Sequence, residues 1–118
     1  MTFSRARYDA ERITAAILWH HADPMPDPLS RCKTEACARA RKLVAYIMHA
    51  HLGYNFSEIG RALERNHATV IYGIRTIAEH AAIYDDVGRE YAELCRRLNL
   101  WPHPHMSKAG RMEAVECA

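Results

Sequence analysis

Residues Tyr54 to Ala81, YNFSEIGRALERNHATVIYGIRTIAEHA, decide the fold of this chain. The stretch predicts a short helix, a tight turn and a longer helix. Ser57 is a suitable N-cap for the first helix, since its hydroxyl can take a free backbone N–H. Ile59 and Leu63 lie four apart and share a face. The apolar rhythm breaks at Arg65-Asn66, and Asn66 can cap a second helix that carries Val70, Ile71, Ile74 and Ile77 as one stripe. Gly60 falls inside the first helix, where glycine costs about 1 kcal/mol against alanine, so close packing is the expected reason for it. The second helix then opens with His67, Ala68 and Thr69. Such a helix can enter the major groove of DNA with its first residues on base edges.

Arg65-Asn66-His67-Ala68-Thr69-Val70 resembles the R-D-H-T-T-V signature of the C-terminal DNA-binding domain of DnaA, the bacterial replication initiator. Arg39-Ala40-Arg41-Lys42 stands at that family's R-x-R-Q, Ser57-Glu58-Ile59-Gly60 at its P-E-I-G, and Arg75-Thr76-Ile77 at its R-K-I. The similarity read from these motifs runs from Thr34 to Leu98. Asn66 replaces the family's Asp, Ala68 its first Thr, and the turn before Arg65 is one residue short, without the usual Gly-Gly. The resemblance implies an all-α domain of about five helices, Trp-repressor-like, that binds double-stranded DNA at a DnaA-box-like element. It assigns DNA contacts to Asn66, His67, Ala68 and Thr69 at the start of the second helix. It also gives Arg39 a minor-groove reach, and it brings Phe56 and Ser57, which lead into the motif, toward the groove. Phosphate contacts would fall to Arg41 or Lys42, and Arg61 and Arg65 flank the turn, placed for the backbone. Each of these has a plainer reading: a capped helix start at Asn66, a solvated face for the basic residues, and a core position for Phe56. Ala68 can touch a thymine methyl but lacks the hydroxyl of the family's Thr.

Charge supports this outline. Residues 31–80 hold eight Lys and Arg against four Asp and Glu, while both flanking segments carry a slight acidic excess. The positive surplus coincides with the motifs, as a polyanion partner requires. No apolar run approaches the roughly 18–20 residues of a membrane span, and no signal peptide opens the chain. A cytosolic, bacterial or phage-encoded and nucleoid-associated protein with reduced thiols at Cys32, Cys37, Cys95 and Cys117 is expected. The eight histidines do not pair at helical ligand spacing, and Cys32 and Cys37 lack a partner pair, so no metal is expected. No nucleophile motif and no Walker A loop occur. The expectation is a DNA-binding domain without the family's ATPase, without a cofactor and without enzymatic activity.

Toward the N-terminus, Ser4 to His21 predicts a helix with Ile13 and Ile17 on one side. Three alternating prolines between Ala22 and Pro28 then form a stiff linker. The expected organisation is therefore an N-terminal helix (1–22), a Pro-rich linker (23–29), the helix-turn-helix domain (30–100) and a flexible tail (101–118). Within the domain a helix from Ser30 or Thr34 to His51 buries Leu43, Val44, Ile47 and Met48. A last helix from Asp85 to Leu100 buries Val87, Tyr91, Leu94 and Leu98. The alternative function is a protein-interaction module that meets the initiator or another regulator through its N-terminal helix, with DNA affinity weak or lost.

Overall fold

A computed structural model describes residues 4–21 and 25–101. Their regular elements are all helices: α1 (Arg5–His20), α2 (Glu35–Ala50), α3 (Phe56–Leu63), α4 (His67–Ile83) and α5 (Asp85–Arg97). The expected tail beyond Trp101 and part of the linker lie outside the described residues. Local chemistry starts four of the helices. Ser4, Thr34, Asn55 and Asn66 each accept a backbone N–H from the first turn of the helix that follows, which satisfies donors that no carbonyl can reach. One expectation is corrected here. Ser57 is not the cap of α3; it is an exposed second residue of that helix. Asn55 caps instead, accepting from the Glu58 N–H at 2.8 Å while the Glu58 carboxylate accepts from the Asn55 N–H at 3.0 Å. Two donors are satisfied by this reciprocal box, against one by a serine.

The core follows the predicted stripes with one shift. Leu43, Val44, Ile47 and Met48 of α2 are fully buried, as are Ile59 and Leu63 of α3 and Val87, Tyr91 and Leu94 of α5. On α4 the buried row is Val70, Gly73, Ile77 and Ala81, with Ile71 and Ile74 only partly covered, and Leu98 caps α5 from outside, also partly covered. Helix α2 packs against α1, α3 and α4, with its largest contact to α4. Helix α1 is not a detached handle. Ala10, Ile13 and Ile17 sit in the common core, the Arg7 guanidinium donates to the Ala62 carbonyl at the end of α3 (2.7 Å), and the Tyr54 hydroxyl donates to Asp9 (2.6 Å). A cation at the carbonyl end of α3 also meets the negative end of its dipole. Leu29 and Pro28 are buried too, so the segment after the prolines lies on the domain. No helix among the described residues is long and apolar enough to cross a membrane.

Candidate nucleic-acid interface

The turn between α3 and α4 is held from several sides. Glu64 adopts a left-handed conformation (φ 55°, ψ 47°) and ends α3, the role a glycine fills at lower cost. The Arg65 N–H then returns to the Gly60 carbonyl at 2.8 Å. A Cβ on Gly60 would stand 2.8 Å from the Arg65 carbonyl oxygen, so the turn crosses α3 where only glycine leaves room. The Arg65 guanidinium donates to the carbonyls of Leu63, Glu64 and Ser30, the last at 2.8 Å. Asn66 caps α4 by accepting the Ala68 N–H at 2.7 Å. In place of a Gly-Gly pair, a left-handed glutamate and an arginine staple make the bend.

Four consecutive residues, Asn66, His67, Ala68 and Thr69, emerge from this bend exposed, and burial begins at Val70. The His67 ring is not free to swing. It lies nearly parallel to Phe56 (centroids 6.5 Å apart, 26° between planes), and Phe56 stacks in turn on His49 (4.5 Å, 25°). The Tyr54 carbonyl accepts the Nδ1–H of His49 at 3.0 Å and fixes the base of this column. Phe56, half-buried against the core, therefore links the core to the exposed imidazole. Sequence reasoning missed His49, whose partners come from the next two segments.

The basic residues divide into two sets: the fold engages Arg39, Arg41 and Arg65, and leaves others at the surface. Arg39 turns toward α5, pairing with the buried Glu90 carboxylate at 2.5 Å and with Asp86 at 3.6 Å. The other Glu90 oxygen lies 3.1 Å from His21 Nε2. A minor-groove reach by Arg39 would have to break this pair. Arg41 leaves α2 roughly 200° further around and donates to the carbonyls of Pro28 (3.0 Å) and Cys32 (2.9 Å). Burial, with the nearby Arg65 charge adding to it, holds its guanidinium below the ordinary value. Arg41 and Arg65 thus tie residues 28–32 to the domain. Lys42 and Arg61 do remain at the surface, Lys42 with its ammonium 5.8 Å from the centre of the Tyr72 ring. Two exposed cations not singled out as DNA contacts, Arg31 and Lys33, occupy the loop before α2 and share a shallow depression with Glu64 and Arg65. The surplus of cations in residues 31–80 was the only signal for them.

Among the described residues no group of three His, Cys, Asp or Glu side chains is placed to hold a metal ion. Cys32 accepts or shares hydrogen bonds with Cys37 and Thr34, which lower its thiol pKa, while burial raises those of Cys37 and Cys95.

Residues 10–77 match the family model described as the bacterial DnaA protein helix-turn-helix. The chain is also 29% identical over 97 residues to the chromosomal replication initiator protein DnaA of Sphingopyxis alaskensis. That alignment covers 81% of this chain and 21% of the relative, so the chain spans about a fifth of the length of the curated relative it matches. The family match starts at Ala10 and takes in most of α1, which the motif-based resemblance beginning at Thr34 left aside.

Proposed function

The chain belongs to the bacterial DnaA helix-turn-helix family, and from that premise we propose that it binds duplex DNA at a short element related to the DnaA box. The observation that carries this reading is the exposed first turn of α4. His67 and Thr69 are both exposed on it, and the His67 imidazole lies nearly parallel to the Phe56 ring. In the major groove these two side chains would hydrogen-bond base edges or phosphate, with the positive end of α4 favouring the anionic backbone. Arg61 and Lys42 would take phosphates on either side. Arg31 and Lys33, on the loop beside the turn, are better placed than Arg39 for an adjacent groove, because no carboxylate among the described residues pairs with them. Occupancy of such a site would act on replication initiation or on transcription, in a nucleoid-associated protein.

Fluorescence anisotropy with a box-containing duplex and a scrambled duplex tests this. Tighter binding to the box is expected, with affinity falling steeply as salt rises. Equal or absent binding at low salt would refute it. A second reading is favoured by one observation: Leu18 and Trp19 project from the outer side of α1, Trp19 at 76% exposure. On that reading α1 engages the initiator or another regulator, and Trp19→Ala would abolish the association and leave DNA affinity unchanged.

A further inference from the structure

We propose that Tyr72 is a specificity-determining residue, reading a base edge through its hydroxyl and supplying the discrimination that Ala68 cannot. The proposal rests on the duplex-binding reading above. On α4 the inward row is Val70, Gly73 and Ile77, so Ala68, Tyr72 and Arg75 form the outward one. Tyr72 is 66% exposed. It follows Ala68 by four residues, about 6 Å along the axis. Helical side chains lean toward the N-terminus and cover the turn before their own Cα. The ring of Tyr72 borders the same depression as Thr69, Gly73 and Lys42, one helical turn after the bare methyl of Ala68.

One further contact holds the ring in register. The Lys42 ammonium is 5.8 Å from the ring centre, within cation–π range. Lys42 gets there because its stem crosses α4 at Gly73, where an added Cβ would lie 3.1 Å from Lys42 Cγ. A glycine in the recognition helix thus trades helix propensity for the Lys42–Tyr72 pair. The hydroxyl of Tyr72 makes no hydrogen bond to the described residues. As a donor it is matched by the acceptors that the major groove displays, N7 and O6 of guanine, N7 of adenine and O4 of thymine. Lys42 beside it would take the neighbouring phosphate.

Selection of bound sequences from a random duplex pool, run on the full chain as wild type, Tyr72→Phe and Tyr72→Ala, tests this. Wild type should enrich one word. Tyr72→Phe should enrich the same word except at one or two adjacent positions, where preference falls about tenfold, and Tyr72→Ala should lose those same positions. Salt dependence should be unchanged in both variants. Identical words and weights for all three proteins would overturn the role of Tyr72 while leaving DNA binding intact. So would a uniform loss across every sequence, which marks a contact without readout. If wild type enriches no word, the duplex-binding reading falls and this inference falls with it.

Discussion

The first turn of α4 and the opening turns of α2 put their polar groups to opposite uses. In α4, only Asn66 is committed inward, as a cap, and His67 to Thr69 face solvent. In α2, Arg39 and Arg41 carry the charge, and both are engaged by the fold: one by the Glu90 carboxylate, the other by the carbonyls of Pro28 and Cys32. The difference teaches that a guanidinium's availability to DNA depends on which acceptors neighbouring elements bring within reach. Loops and helix ends offer bare carbonyls, and arginine's fork of donors is suited to collecting them. A short hydroxyl or an imidazole at a helix start reaches no such partner. The exposed motif residues are therefore His67, Ala68 and Thr69, and the exposed cations around them are Arg31, Lys33, Arg61 and Arg75, with Lys42 partly covered.

If the opening of α2 is structural, its disruption must cost stability. Glu90→Ala leaves the Arg39 charge and His21 facing a buried, emptied site, and a loss of about 3 kcal/mol is expected, at the low end for a broken buried pair because Arg39 is partly solvated. A denaturant midpoint equal to wild type would break the comparison at its strongest point. The buried side of the same helix gives a pH signature. Burial pushes the Tyr46 phenol up to about 12, above its ordinary value near 10 in the unfolded chain. Its contribution is complete below about pH 10 and is lost as pH rises toward 12, by about 2 kcal/mol. Thermal melts across that range should show the fall, and Tyr46→Phe should flatten it.

The opening of α4 should behave in the opposite way. His67→Ala should weaken binding to a box-containing duplex about tenfold, while stability stays within about 0.5 kcal/mol of wild type. A large loss in melting temperature would make His67 a structural residue like Arg41. The smallest effect sharpens the description of the bend between them. Glu64→Gly relieves a left-handed non-glycine residue, and a gain of up to about 1 kcal/mol is expected, read by chemical denaturation. Destabilisation would mean that the Glu64 side chain supports the turn.

Much of this was legible in the residues themselves. The stripes of α1, α2, α3 and α5 could be seen as 3.6-residue repeats, and the bend at Arg65-Asn66 as a break between two of them. Gly60 was expected to mark close packing, and the contact is with the Arg65 carbonyl across the turn. The candidate site was legible in its uncharged part. At His67 to Thr69 exposure follows from helix position: these residues precede the first inward one, Val70. The engagement of the arginines by the fold was not legible, since Arg39 meets Glu90 and Arg65 meets Ser30 across 51 and 35 residues of sequence. The mistaken cap at Ser57 was a different failure, a local one. Asn55 and Glu58 already spelled a capping box, and taking the Ser57 hydroxyl as the cap drew the start of the helix two residues too late.

The sequence alone determined the helices, their buried stripes and the bend, because periodicity, caps and glycine act through neighbours within one or two turns. Tertiary structure decided which cations stay free, that His49 and Phe56 brace His67, and that α1 joins the core. Those outcomes depend on acceptors and rings arriving from distant segments, whose positions are set only when α2 packs against α1, α3 and α4.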